Sequence, residues 1–212
     1  MLHKETVSSG TLELLKQLML DENLNDFFLV GGTALSLQIG HRISIDIDLF
    51  SLKSFEENKL LTYLETNRNL KLSFIDRNTL KGQIDNIQVD LISHSYPLVS
   101  DLLILENIRL ASLEDIAAMK FNAIIGNGTR LKDFVDIACL SAYLSFESMI
   151  KAYQQKYQPR NPLIILKALF YYDDINFKEP LHMISGSYKW KTIEQRLSQM
   201  EKFQYKIFPK LF

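Results

Sequence analysis

Phe27-Phe28-Leu29-Val30-Gly31-Gly32-Thr33, followed ten residues on by Ile43-Ser44-Ile45-Asp46-Ile47-Asp48-Leu49-Phe50, is the stretch that decides how this chain is built. The first run is continuously apolar and stops at two glycines, the pattern of a short buried strand. Thr33 is a favourable helix-start residue, and Ala34 to Ile39 continues as a short helix that Gly40 ends. The second run alternates, apolar at every odd position from Ile43 to Leu49, which predicts a strand across Ile43–Phe50. With its apolar face on the core, Ser44, Asp46 and Asp48 project together from the other face. Carboxylates at i and i+2 then lie roughly 7 Å apart, within reach of shared or adjacent hard cations. The plain alternative for a bare Asp-x-Asp is a solvated pair on an edge strand. Strand pinning by the alternating aliphatics works against that, because two like charges held side by side repel unless something cationic lies between them.

Working outward, Leu12, Leu15, Leu18 and Met19 recur at helical spacing before the first strand. Ser54-Phe55-Glu56-Glu57 has capping-box spacing and predicts a helix to about Asn67. Leu70–Ile75, Leu80–Ile84 and Ile87–Ser93 read as strands, the last two joined by a tight turn at Asp85-Asn86. Ile87, Val89 and Leu91 share one face of the last strand, while Gln88 and Asp90 share the other, so Asp90 is a third acid that converges with Asp46 and Asp48 if the strands are neighbours. From Ser112, a helix cap, the signal turns helical. Ile116, Ala117, Phe121 and Ile124 form the stripe and Gly126-Asn127-Gly128 the stop. Further helices are predicted over Arg130–Leu144, Ser145–Tyr157, Asn161–Tyr172 with Pro162 at its first position, and Trp190–Phe208. The expected fold class is α/β (α+β): a mixed sheet with helices in residues 1–110 and a helical part in residues 111–212.

Composition narrows the function classes. The 212 residues are 47% hydrophobic and carry 24 basic and 25 acidic side chains, a balance suited to a globular fold that needs no staple. A single cysteine, Cys139, excludes a disulfide framework and a Cys-rich zinc site. With no apolar run near the roughly 20 residues of a membrane span and no signal-like start, the expectation is a soluble protein of a reducing cytoplasm without membrane partners. The near-neutral total conceals an asymmetry. Residues 1–150 hold 13 basic and 20 acidic side chains (net −7), and residues 151–212 hold 11 basic and 5 acidic (net +6) with 12 of the 23 aromatics. Basic and flat apolar surface together favour single-stranded nucleic acid, although helix core with a solvated lysine face accounts for the same composition. His3, His41, His94 and His182 show no metal-ligand spacing, and no Walker loop, Gly-x-Ser-x-Gly elbow or His-Glu-x-x-His motif is present.

A glycine turn between a buried strand and a helix exposes backbone N–H groups with no Cβ in the way, which suits phosphate. Followed by two acids on a strand and a third on another, it supplies the parts for metal-assisted nucleotidyl transfer. Lys120 leaves the apolar stripe of its helix at i+4 from Ile116 and i−4 from Ile124. Its ammonium either snorkels past the core or reaches a triphosphate. Lys120→Ala separates these, altering stability in the first case and NTP use in the second. Asp133 and Asp136 share a helix face, either as surface partners of Arg130 and Lys132 or as groups that position Lys120 and the nucleotide.

Phe28-Leu-Val-Gly31-Gly32-Thr33-Ala34-Leu35, Arg42-x-Ser44-x-Asp46-x-Asp48-Leu49-Phe50, Val89-Asp90-Leu91, Asp115 to Lys120 and Lys132-Asp133-Phe134-x-Asp136 together resemble the AbiEii-type nucleotidyltransferases of the polymerase-β-like superfamily, many of them toxins of type IV toxin–antitoxin pairs. A weaker echo continues at Tyr171-Tyr172-Asp173-Asp174 and Trp190. The resemblance implies transfer of a nucleoside monophosphate from an NTP with Mg²⁺ or Mn²⁺ as cofactor, an RNA acceptor such as a tRNA end, and a cognate antitoxin. It implies Asp46, Asp48 and Asp90 as metal ligands, Asp90 also toward the acceptor, and Lys120 in catalysis. Gly31, Gly32, Thr33, Arg42, Ser44, Arg130, Asp133 and Asp136 would hold the nucleotide. One departure is Asn127, in the turn after the lysine helix where relatives often carry arginine; Arg130 follows three residues on. Two rival readings are a metal-dependent glycosyltransferase, which leaves the glycine turn, Asp90 and Lys120 without a role, and a non-catalytic nucleotide-binding or antitoxin-like interaction protein, against which the intact acids count.

Overall fold

A seven-stranded mixed sheet organises the amino-terminal part of the chain. The structure, a computed structural model, describes residues 1–159, 161 and 163–212. The chain divides into two compact units, Met1–Pro97 with Leu102–Ala111, and Leu98–Asp101 with Ser112–Phe212.

In the first unit a short 3₁₀ turn precedes α1 (Ser9–Leu20), which Ser8 caps by accepting from Thr11 N at 3.0 Å. Then come β1 (Phe27–Leu29), α2 (Gly31–Ile39), β2 (Ile47–Ser51), α3 (Glu57–Arg68), β3 (Lys71–Asp76), β4 (Thr79–Ile84), β5 (Ile87–Ser93), β6 (Leu103–Leu105) and β7 (Ile108–Leu110). The strand order is β3-β4-β5-β2-β1-β7-β6, with β2–β5 and β1–β7 parallel and the remaining pairs antiparallel. Ile47 faces Val89 and Leu49 faces Leu91 across β2 and β5, and all four are fully buried, each worth about 1.5–3 kcal/mol of apolar burial. Arg109 on β7 donates to the carbonyls of Phe27 (2.8 Å), Met19 (2.9 Å) and Leu24 (3.0 Å). It thereby satisfies the end of α1 and the start of β1 together.

Several sequence expectations change here. The strand predicted from Ile43 begins only at Ile47, and Ile45 is 62% exposed. Residues 42–46 are held instead against α2, where the Thr33 hydroxyl donates to Ser44 Oγ (2.9 Å) and to the Asp46 carbonyl, and Ser44 N donates to Thr6 O (2.8 Å). Ser44, Asp46 and Asp48 therefore do not share one strand face. Helix α2 starts at Gly31 with Val30 at the cap, so Thr33 is inside it rather than at its start. The box at Ser54–Glu57 does not form: Phe55 N donates to Asn78 Oδ1 (2.9 Å) and Glu57 Oε2 accepts from Asn78 N (3.3 Å), so these residues bond the β3–β4 turn. The β6–β7 hairpin, turned by Glu106 and Asn107 at positive φ, is an addition.

The second unit contains α4 (Leu113–Gly126), α5 (Leu131–Leu140), α6 (Phe146–Tyr157), α7 (Ile164–Leu169) and α8 (Trp190–Lys202). Ser112 and Ser145 cap α4 and α6 as expected, accepting from Asp115 N (3.0 Å) and Ser148 N (3.1 Å). Phe121, Phe134, Phe146, Ile116, Ile193 and Leu197 form its core. The expected Pro162 helix start lies outside the described residues. Helix α7 opens at Ile164, after Asn161 Oδ1 accepts from Leu163 N, and ends before Tyr172. Helix α8 stops at Lys202 rather than Phe208, because Arg196 Nη1 holds the Pro209 carbonyl (3.0 Å) and Phe208 N donates to Ser141 O (2.8 Å), a path no continuous helix follows.

Candidate active site

Asp48 and Asp90 are register partners on the parallel strands β2 and β5, so their side chains lie side by side on the face opposite Ile47, Leu49, Val89 and Leu91. Across β4, Lys81 is the register partner of Asp90 and its Nζ lies 2.6 Å from Asp90 Oδ2. Gln88 Nε2 donates to the other oxygen at 2.8 Å. Asp46 is exposed on the segment before β2, and its carbonyl, not its carboxylate, meets Thr33. The expected grouping of three acids thus appears as an adjacent pair with Asp46 outside the strand. Among the described residues no group of three or more His, Cys, Asp or Glu side chains is placed to hold a metal ion.

The glycine turn fits closely around this pair. Gly31 has φ +70°, a conformation that favours glycine, and a Cβ there would overlap the Asp48 carboxylate. A Cβ on Gly32 would overlap the Arg42 guanidinium and stand 3.2 Å from Ser44 Oγ. Arg42 is buried and donates from Nη1 to Ile43 O at 3.0 Å. A buried guanidinium and the amino end of α2 are thus adjacent at Gly32, an electropositive combination suited to an anion. Gly31, Gly32, Thr33, Arg42 and Ser44 are brought together as the motif spacing implies.

In the helical unit Lys120 on α4 is buried, with Nζ 2.6 Å from Asp133 Oδ1 and 2.7 Å from Asp136 Oδ2 on α5. Asp133 and Asp136 are buried as well and both meet Lys120, while Lys132 pairs with Glu179 at 3.4 Å. Arg130 Nε lies 3.8 Å from Asp133 Oδ2. Asn127, the departure from the family pattern, closes α4, with its Oδ1 accepting from Thr129 N at 3.3 Å. Trp190, part of the weaker echo of the family, packs edge-on against Phe134, Tyr172 and Phe177 at centroid distances of 6.2, 5.1 and 5.1 Å. Burial, reinforced by Glu194 and Glu201, pushes the Tyr172 phenol up to about 12.

Two polar features escaped the motif reading. Lys81 was findable: a two-residue turn at Asp85-Asn86 fixes the hairpin register and sets position 81 opposite 90. The pairing of Asp115, itself within a quoted motif, with Lys156 was not. Lys156 Nζ lies 2.8 Å from Asp115 Oδ1 in full burial, and the same carboxylate accepts from Ser112 Oγ, Val99 N and Ser100 N. No sequence spacing connects positions 115 and 156.

Adjacent acids beside a glycine-rich helix start on a mixed sheet, followed by a helical unit, define a nucleotidyltransferase. Residues 13–202 match the family described as nucleotidyl transferase AbiEii toxin of type IV toxin–antitoxin systems, and the chain belongs to that family. It is 30% identical over 181 residues to the uncharacterized protein aq_aa25 of Aquifex aeolicus, covering 81% of this chain and 84% of that one. Among solved structures, it resembles a candidate nucleotidyltransferase from H. pylori at 18% identity and TM-score 0.55, over 93% of this chain and 96% of the other. JHP933 from Helicobacter pylori is similar at 16% identity and TM-score 0.55, over 94% and 93%. These two likenesses concern the fold.

Proposed function

We propose that this nucleotidyltransferase moves a nucleoside monophosphate from an NTP to an RNA acceptor in a divalent-ion-dependent reaction, as a toxin restrained by a cognate antitoxin. The observation that carries the reading is the registered pair Asp48–Asp90 with Gly31 folded around the Asp48 carboxylate. These are hard oxygen donors of the kind Mg²⁺ and Mn²⁺ take, and a side chain at position 31 would fill the space the carboxylate uses. Asp48 and Asp90 are the residues that would hold the ion; Asp46, on the segment before β2, is not grouped with them. When bound, the ion neutralises charge on the attacking and leaving oxygens of an in-line displacement at phosphorus.

This chain's own groups do the rest. The N–H groups at the start of α2, with the Arg42 guanidinium beside Gly32, bind the triphosphate. Thr33 and Ser44 fix the segment that carries Asp46. Asp90 is assigned to take the acceptor hydroxyl proton, with Lys81 and Gln88 holding its carboxylate in place. Lys120 fixes the buried Asp133 and Asp136 and so holds α4 to α5 within the helical unit.

Incubation with each labelled NTP, Mg²⁺ or Mn²⁺ and total cellular RNA tests the reading. Label in RNA that depends on the ion and on Asp48 supports it. Label in protein alone, or transfer that persists in chelator, overturns the acceptor or the ion respectively.

A further inference from the structure

The segment Phe203–Phe212 follows α8 and lies beyond residue 202, where the family match ends. It is firmly attached. Glu147 N donates to Gln204 O (3.0 Å), Phe208 N to Ser141 O (2.8 Å), and Arg196 Nη1 to both Pro209 O (3.0 Å) and Ser141 Oγ (2.9 Å). The Arg196 guanidinium also stacks on the buried Phe208 ring at 4.9 Å. Between these anchors Phe203, Tyr205 and Ile207 stand out at alternate positions, 48%, 81% and 57% exposed. Cations accompany the rings. Lys202 and Lys206 Nζ lie 5.5 and 5.8 Å from the Phe203 centroid, and Lys210 Nζ lies 5.8 Å from that of Tyr143. From Lys202 to Phe212 there are three lysines and no acid.

We propose that this anchored strap is a stacking platform for unpaired nucleotides of the RNA acceptor, with bases on Phe203 and Tyr205 and phosphates at Lys202 and Lys206. The proposal rests on the RNA-acceptor reading above and adds where the strand is gripped. Charge complementarity selects the occupant. The buried centre of a protein–protein interface is depleted of charge, whereas here Phe203 has Lys202 and Lys206 beside its ring, and Glu201 is the one acid among the described residues lining the pocket that these residues share with Tyr205. Flat rings flanked by cations match the repeating base and phosphate of a single strand, and stacking tolerates any base because each has a π-face. A duplex keeps its base faces covered and gains only the lysine contacts. Fixing the backbone at Gln204, Phe208 and Pro209 leaves the rings ordered before binding, which lowers the cost of association.

The test uses the full chain and a dye-labelled single-stranded oligoribonucleotide read by fluorescence anisotropy, beside transfer of labelled nucleotide to RNA. The double variant Phe203→Ala/Tyr205→Ala leaves Phe208 and Arg196 in place. It should bind the oligonucleotide about 30-fold more weakly, about 2 kcal/mol for two rings, with unchanged thermal melting and unchanged KM for NTP. Tyr205→Phe, which keeps the ring, should bind like the parent. Parent-like binding by the double variant, or equal parent affinity for single strand and duplex, overturns the platform while parent transfer to RNA leaves the acceptor reading standing. A parent that neither binds nor labels RNA overturns the acceptor reading, and the platform with it. A loss in Tyr205→Phe equal to that in the double variant overturns stacking as the mode of contact.

Discussion

Replacing Lys120 with methionine removes an ammonium and keeps a stem of similar reach. In the parent this one cation lies 2.6 Å from Asp133 and 2.7 Å from Asp136, and none of the three residues is more than 5% exposed. Taking away one partner of a buried ion pair costs about 3–5 kcal/mol, because the charge left behind has lost its water and its counterion. Here two carboxylates remain, so the cost belongs at the upper end. At about 2–4 °C per kcal/mol for a chain of this size, about 5 kcal/mol lowers melting by about 10–20 °C. The triphosphate-reaching alternative from sequence instead expects altered NTP use with little effect on melting, so measuring both separates the two. Adding Asp133→Asn and Asp136→Asn to Lys120→Met removes the two carboxylates that met the ammonium and should recover most of the loss. Thermal and urea unfolding of the parent, the single and the triple variant decide the matter. A Lys120→Met protein that melts within about 2 °C of the parent would refute the argument that these charges depend on one another.

Asp48→Asn should lower nucleotide transfer at least about 100-fold with little change in melting, measured by label incorporation and calorimetry. Gly31→Ala places a side chain at φ +70° and against the Asp48 carboxylate; about 1–2 kcal/mol of backbone strain should accompany near-complete loss of transfer. Asp115→Ala removes the carboxylate that Lys156 Nζ meets at 2.8 Å and that accepts from Val99 N and Ser100 N, and urea unfolding should show a loss of about 3–5 kcal/mol. Tyr172 has a folded pKa raised to about 12 by burial, so its contribution to stability is present below about pH 10 and is lost as pH rises toward 12. Comparing alkaline unfolding and phenolate absorbance of parent and Tyr172→Phe checks that window.

How much of this was legible from sequence depends on where each signal originates. Strand β5 and its turn were read with the bounds observed, because Ile87, Val89 and Leu91 alternate over a half-buried ladder and Asp85-Asn86 tolerate positive φ. The same alternation misled at Ile43–Ile45, where Thr33 on α2 and the bond from Ser44 N to Thr6 O in the amino-terminal 3₁₀ turn hold the chain and leave Ile45 in solvent. Helix starts were legible at Ser112 and Ser145, whose hydroxyls bond their own third turn residue, and illegible at Ser54, whose neighbours bond a turn more than twenty residues away. In the candidate site, Asp48 and Asp90 could be placed on faces but not in register. The pairing of Lys120 with Asp133 and Asp136 is set by how α4 meets α5, which no local pattern states.

The sheet-bearing unit is discontinuous: β1 pairs with β7 through Leu29 and Leu110, and the chain enters the other unit at Leu98–Asp101 before returning. On a ribosome adding about 5–20 residues per second, β1 waits about 4–16 s for its second neighbour. During that interval one side of β1 is an open edge, the kind of surface that pairs with foreign strands. Arg109, whose guanidinium closes on Phe27, Met19 and Leu24, arrives last and acts as the clasp. A growing chain therefore has its paired acids on β2 and β5 well before the sheet is closed at β1, and the sheet is complete only once synthesis has passed Leu110.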